Sequence, residues 1–243
     1  RIRHAGPMRV IHPHEFVTMP WKNGGGITRE IARETAGDRL LWRLSMADVA
    51  SDGPFSTFSC LTRILTVIRG AGLVLRTPEG VMTAEPMQPV RFSGDLPVAC
   101  TRIAGDVTDL NVIFDGTRIA ARVMRLAGPE DWSEGTAACL AMSGRISADG
   151  APVPAGSVAL DFATLSLATG ATGVLVTLAR IYASDRNRAI AARYSRATMS
   201  RATCRPPVTQ CRPADQTSVT TPSDAAKTSP SSIRASGNPV SAG

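Results

Sequence analysis

From Met8 to Tyr182 the chain is interrupted every few residues by glycine, proline or aspartate, and the apolar runs left between are only strand-length. Short runs of β-branched and aromatic residues between turn formers read as strands, whereas a helix needs a longer segment with a 3.6-residue apolar period. Met8-Arg-Val-Ile11 is one such run, stopped at Pro13. Leu40–Met46 alternates, with Leu41, Arg43 and Ser45 on one face and Trp42, Leu44 and Met46 on the other. One face suits packing and the other polar work. Leu61–Arg69, the turn Gly70-Ala-Gly72 and Leu73-Val-Leu75 read as a hairpin. Further runs follow at Val81–Thr83, Val90–Phe92, Val98–Ile103 and Leu110–Phe114. A linker after Gly116 contains an amphipathic stretch, Thr117–Leu126, and a second series runs through Ala137–Met142, Ser157–Phe162 and Gly173–Ile181. No βαβ alternation is present, which argues against a dinucleotide fold. The pattern predicts an all-β sandwich or barrel, best described as a mixed jelly roll. Loose glycine and proline echoes between the two series suggest duplicated half-barrels.

The hydrophobic share of 43% is ample for a core, but it is unevenly spread. Residues 183–243 contain no Leu, Phe or Trp and are rich in Ser, Thr, Pro, Ala and Arg. Such a segment buries too little apolar surface to offset the entropy of ordering it, and is expected to be a disordered tail. It carries nine basic and three acidic residues, so +6 of the chain's +7 net charge resides there. The high isoelectric point therefore says little about what the folded part binds. Weak phosphate contacts through scattered arginines would show as steep salt dependence. Met8 reads as the natural start of the domain, with residues 1–7 as an extension.

Several function classes are disfavoured. The histidines are His4, His12 and His14, all near the N-terminus, whereas a barrel metal site needs imidazoles and a carboxylate converging from facing strands. No metal and no cofactor is expected. A hydrolytic triad lacks its histidine. The five cysteines form no CxxC pair, and their odd number with no secretory signal suggests a reducing, cytoplasmic setting. Cys60 and Cys100 read as core residues. No apolar run reaches the ~18 residues of a membrane span.

The strongest local signal is Trp21-Lys-Asn-Gly-Gly-Gly-Ile-Thr-Arg-Glu-Ile31. Three consecutive glycines allow close backbone approach to a ligand, with Lys22 and Arg29 adding positive charge and Asn23 and Thr28 adding hydrogen-bonding groups. This suits a small anion and does not match a phosphate-binding Walker loop. Asp52-Gly-Pro-Phe-Ser56 reads as a sharp turn presenting Phe55 and Ser56, and Phe92-Ser-Gly-Asp95 as another turn. Asp109 and Asn111 lie on one strand face, as walls of a hydrogen-bonding pocket.

These motifs, with Trp42-Arg-Leu-Ser45, Gly94-Asp95 and Asp109-Leu-Asn-Val112 in this order, resemble the HutD/Ves family over about residues 8–182. The resemblance implies a cupin-type jelly-roll barrel with two cupin-like halves in one compact unit. It further implies a metabolite-sensing or regulatory role in histidine utilisation, with an N-formylglutamate-like ligand. Two stretches depart from the family's usual pattern. Phe58-Ser-Cys-Leu-Thr-Arg63 lacks the family's tight turn and acidic residue, and Ile113-Phe-Asp-Gly-Thr-Arg118 replaces its Met-Thr-Arg-Arg type run.

The reading is thus a metal-independent cupin that binds a small anionic metabolite. Lys22, Arg29 and Arg43 supply charge, Trp21 and the Gly24, Gly25 and Gly26 backbone shape the site, and Asn23, Thr28, Ser45 and Asn111 supply hydrogen bonds. The rival is a metal-free isomerase or lyase with Glu30 or Asp52 as general base; the direction of the Glu30 side chain separates the two. Because residues 183–243 lack core-forming side chains, a chain ending at residue 182 is expected to keep a cooperative melt and an unchanged melting temperature. Aggregation or a markedly lower melting temperature would move the domain boundary into the tail.

Overall fold

The computed structural model describes residues 7–21, 24–133 and 138–181. Among them the chain forms strands throughout, with a single short 3₁₀ turn at Pro13–Glu15. The first half comprises β1 (Arg9–Ile11), β2 (Val17–Pro20), β3 (Gly26–Ala36), β4 (Arg39–Val49), β5 (Gly53–Pro54), β6 (Thr62–Arg69), β7 (Leu73–Thr77), β8 (Gly80–Ala84), β9 (Val90–Ser93), β10 (Ala99–Arg102) and β11 (Val107–Phe114). The second half comprises β12 (Ile119–Ala127), β13 (Glu130–Trp132), β14 (Ala138–Ser143), β15 (Ile146–Ala148), β16 (Ala151–Val153), β17 (Val158–Leu160), β18 (Leu165–Leu167) and β19 (Thr172–Arg180). No helix among the described residues is long and apolar enough to cross a membrane.

Each half is a barrel made of one larger and one smaller antiparallel sheet. In the first, a six-stranded sheet ordered β2-β3-β4-β11-β6-β9 faces a four-stranded sheet ordered β5-β10-β7-β8. Their common interior holds Leu65, Val67, Leu73, Leu75, Phe55 and Phe92. In the second, the orders are β1-β17-β14-β19-β12 and β13-β18-β15-β16, around Cys139, Ile146, Leu165 and Leu175. β1 leaves the first half and pairs with β17, Arg9 opposite Leu160. This is the two-halved cupin architecture.

A third core joins the halves. The outer faces of the two larger sheets pack together through Trp42, Leu44 and Met46 of β4, Leu110, Val112 and Phe114 of β11, and Leu140, Val158, Val174 and Val176 of the second half. Strand alternation explains the choice, since successive side chains point to opposite faces. On β4 it sends Trp42, Leu44 and Met46 to the other half and leaves Arg43 and Ser45 facing the first barrel's interior. Leu41 departs from the expected pattern and joins Trp42 in the inter-half core, at a register irregularity between β3 and β4.

Three local expectations are corrected. Thr117–Leu126 is not a linker, because Ile119–Ala127 is a full strand in register with β19. Its two faces serve different cores, Ile119, Ala121 and Val123 the inter-half core and Met124 and Leu126 the second barrel, so its apolar residues show no simple alternation. The hairpin expected around Gly70-Ala-Gly72 does not form. The chain there passes from the six-stranded to the four-stranded sheet, and β7 pairs with β8 and β10 instead. Gly70 and Gly72 have φ of +99° and +121°, and a Cβ at either would lie 2.6 Å from Asp106 O or 2.8 Å from Ala84 O. Cys60, expected in the core, is exposed at a turn with φ of +61°, where its N–H donates to Asp95 Oδ1 at 3.0 Å. Cys100 is buried as expected.

Phe114 is fully buried at the centre of the inter-half core. Phe114→Ala should lower stability by about 3–5 kcal/mol while leaving a single unfolding transition, because the lost contact is shared by both halves. Two separated transitions in urea, one of them unshifted, would show instead that the halves melt independently.

Candidate ligand site

The inner face of the six-stranded sheet carries a band of polar residues where a barrel core is usually apolar. Register brings them level. Glu30 of β3 lies opposite Ser45 of β4, Ser45 opposite Asn111 of β11, and Asn111 opposite Leu65 of β6. One step along, Arg43 and Arg63 both lie opposite Ile113, and one step the other way Thr28 and Asp109 both lie opposite Ala47.

Arg63 is the centre of the band. It is 6% exposed, its Nε–H donates to Asn111 Oδ1 at 2.8 Å, and its guanidinium lies 4.6 Å from the Phe55 ring centre and 5.6 Å from that of Phe92. Cation–π contacts of this kind stabilise a desolvated guanidinium without using its N–H groups. Among the described residues the terminal nitrogens of Arg63 form neither a hydrogen bond nor an ion pair. Asn111 passes the network on, its Nδ2 donating to Asp109 Oδ1. Asp109 is fully buried, and its Oδ2 has no hydrogen-bond partner. Burial pushes its carboxyl up to about 6, against the opposing pull of the Arg63 charge and the Asn111 hydrogen bond. Burial likewise lowers the Arg63 guanidinium from its ordinary value.

The second cation of the band is already matched. Arg43 Nε lies 2.9 Å from Glu30 Oε2, an ion pair in which the N–H is not aligned for a hydrogen bond. Glu30 also lies 3.5 Å from Arg33 Nε. Burial pulls Arg43 below its ordinary value, partly offset by Glu30. Trp21 caps the same region, with Nε1–H donating to Thr28 Oγ1 at 2.8 Å and its ring edge-on to Phe55 at 6.2 Å.

The residues expected from sequence therefore divide. Trp21, Thr28, Arg43, Ser45 and Asn111 gather in the first barrel, whereas Lys22 and Asn23 lie outside the described residues. Gly25 and Gly26 are engaged by the protein rather than left open to a ligand. Gly25 O accepts from the N–H groups of Ala50 at 3.0 Å and Ser51 at 3.2 Å. At Gly26, where β3 starts, a Cβ would run into Asp48 O and the Trp21 ring. Gly24 has φ of +70° with open space around it. Arg29 is placed apart from the band, one position out of phase with Thr28 and Glu30, on the sheet's outer face. There its Nη2 donates to both Asp48 oxygens at 2.7 and 2.6 Å, and Thr108 Oγ1 donates to Asp48 Oδ1 at 2.8 Å. Asp52 is exposed, accepting from Arg102 N at 3.0 Å and Arg102 Nε at 3.2 Å. The backbone hydrogen bond from Arg102 is the main reason its carboxyl lies below the usual value. Asp109 and Asn111 share a face as expected. Arg63 was the residue missed, although the alternation of Leu61–Arg69 already places it beside Leu65 and Val67. No group of three or more His, Cys, Asp or Glu able to hold a metal lies among the described residues.

The HutD family model matches residues 13–179. The chain belongs to the HutD family. It is a cupin-fold protein of a family associated with histidine utilisation. Among curated proteins it is 35% identical over 137 residues to an uncharacterised 21.2 kDa protein from the hutC 3′ region of Pseudomonas putida, spanning 53% of this chain and 66% of that one. It is 37% identical over 109 residues to protein Ves of Citrobacter koseri, spanning 42% of this chain and 56% of that relative. Among solved structures, HutD from Pseudomonas fluorescens (formate condition) is 33% identical with a TM-score of 0.63, covering 72% of this chain and all of that one. Ylba from E. coli, 11% identical with a TM-score of 0.55 over 72% of this chain and 91% of its own, shares the fold.

The state of Asp109 has a measurable sign. A carboxyl whose value rises from 3.8 to about 6 on folding is protonated more readily in the folded state, so its ionisation opposes folding as pH climbs through that window. The wild-type protein should lose stability from about pH 4 to about pH 6, and Asp109→Asn should remove that component. Superimposable stability–pH curves for the two proteins would contradict the assignment.

Proposed function

We propose that the first barrel binds a small carboxylate-bearing metabolite, N-formylglutamate-like in class, and that the protein acts as a cytoplasmic, metal-free regulator of histidine utilisation. The observation that carries this reading is Arg63, a buried guanidinium lying over the Phe55 and Phe92 rings with its terminal nitrogens unused. A desolvated guanidinium whose terminal N–H groups lack acceptors is costly, and a carboxylate supplies both acceptors in bidentate geometry. Asn111 fixes the Arg63 orientation through Nε, which leaves the terminal nitrogens directed for a ligand. Ser45 and Thr28, on the same face, add neutral hydrogen-bonding groups.

Two further points support binding over catalysis. Glu30 turns to Arg43 and Arg33 and Asp52 to Arg102, so both carboxylates proposed as general bases are engaged by cations. The names of the relatives support the metabolic setting, since one lies in a hutC 3′ region and the HutD structure is of a formate condition, formate being the smallest carboxylate.

Calorimetry with N-formyl-L-glutamate on the wild type, Arg63→Met and Arg29→Ala tests the reading. Each charge-assisted hydrogen bond is worth about 1.5–3 kcal/mol, so Arg63→Met should weaken binding by at least about tenfold. Its melting temperature should hold or rise, since an apolar side chain replaces a buried charge. Arg29→Ala should lower the melting temperature by stranding Asp48, with affinity unchanged. A folded Arg63→Met protein that binds as tightly as wild type would remove Arg63 from the site.

A further inference from the structure

The two large sheets do not close on each other along their whole length. At the end where β4 finishes and β11 begins, a cleft of about 720 Å³ opens between the halves. That volume falls in the range of small-molecule sites, which often lie between structural units. The cleft lies on the outer face of the six-stranded sheet, so the sheet itself separates it from the Arg63 band.

Its wall is apolar and adaptable. Phe16, Met46 and Leu140 of the inter-half core line it together with the half-buried Ile68 and Met142. Methionine side chains are flexible and polarisable, which lets a wall fit a planar apolar group and make sulfur–aromatic contacts. In a fully closed interface these residues would pack against each other, but here they flank open space.

The charges on the rim are unequally partnered. Asp48 receives its three hydrogen bonds from Arg29 and Thr108, and Asp106 is held by Arg102 at 2.8 Å. Both acids are therefore engaged by cations, Asp48 by Arg29 and Asp106 by Arg102, which also holds Asp52. Arg69, at the end of β6, is exposed, and its side chain forms no hydrogen bond or ion pair among the described residues. Arg29, lining the same cleft, has a buried Nε with no hydrogen-bond partner. An arginine whose side chain has no partner among the described residues thus stands beside an apolar wall.

We propose that this cleft is a second ligand site, for a monocarboxylate with an apolar, preferably aromatic body. The carboxylate pairs with Arg69 at the rim and the body lies against Met46, Ile68 and Met142. A cation is disfavoured by Arg69. A very small anion such as acetate leaves the apolar wall uncovered.

trans-Cinnamate serves as the probe, titrated into the full chain by calorimetry with acetate and cinnamamide as controls. Wild-type protein should bind cinnamate, and each control at least about tenfold more weakly, since one lacks the apolar body and the other the charge. Arg69→Gln, an exposed substitution that leaves the fold intact, should weaken cinnamate by about tenfold or more. Met142→Trp should fill the cleft and abolish binding; if that variant melts early, Arg69→Gln alone decides. N-formyl-L-glutamate should not compete with cinnamate. The inference is overturned if wild-type protein binds no cinnamate at millimolar concentration, if Arg69→Gln binds it fully, or if N-formyl-L-glutamate displaces it.

Discussion

The packing of the six-stranded sheet onto the five-stranded sheet governs the rest of the molecule. It covers the outer faces of β4, β6 and β11, whose inner faces are already covered by the first barrel. Nearly every residue of β11 is buried as a result. Charges at the middle of these strands, such as Arg63 and Asp109, are then cut off from water on both sides, and an isolated buried ion costs several kcal/mol. The polar band inside the first barrel follows from this constraint. Glu30 answers Arg43, and Asn111 stands between Arg63 and Asp109. Inside the first barrel, the outer nitrogens of Arg63 and one oxygen of Asp109 are left without a hydrogen-bond partner among the described residues. Groups kept in such a state at the expense of stability are the expected mark of a functional site.

Much of this was legible in the sequence, because strand alternation is a strong signal wherever a strand is long. The common face of Arg43 and Ser45, and that of Asp109 and Asn111, could be read directly. The two-barrel plan was legible through the family resemblance and only faintly through the glycine and proline echoes. Other elements left no readable trace. β13, β15, β16 and β18 span three residues each, too few for a period to show. β12 hides its alternation by serving two cores in turn. At Gly70 and Gly72, a sheet-to-sheet crossing needs the same backbone freedom as a hairpin, and local chemistry cannot separate the two.

The segment around Thr28, Arg29 and Glu30 shows where local reading stops. As a motif it looks like one cationic loop. As a strand it divides by parity, with Thr28 and Glu30 turned into the barrel and Arg29 turned out to Asp48. The glycines before it serve the entry into β3, where the backbone runs hard against Asp48 and under the Trp21 ring. Arg63 is the converse case. It belongs to no motif, and its importance arises only when β6 is placed beside β11 and its guanidinium meets the Phe55 and Phe92 rings.

The placement of β1 has a consequence for synthesis. Arg9–Ile11 leave the ribosome before the rest of both barrels, yet their partners Val158–Leu160 emerge about a hundred and fifty residues later. β2 to β11 can pair among themselves as soon as they appear, so the first barrel can close early, with its apolar outer face bare and β1 unmatched. That exposed face and unpaired strand are the features that draw nascent chains into aggregation or exchange with a neighbour. Closure of the second barrel ends the exposure by covering the face and capturing the strand together. The first strand thus acts as a latch that sets only when the second barrel is made, tying completion of one half to completion of the other.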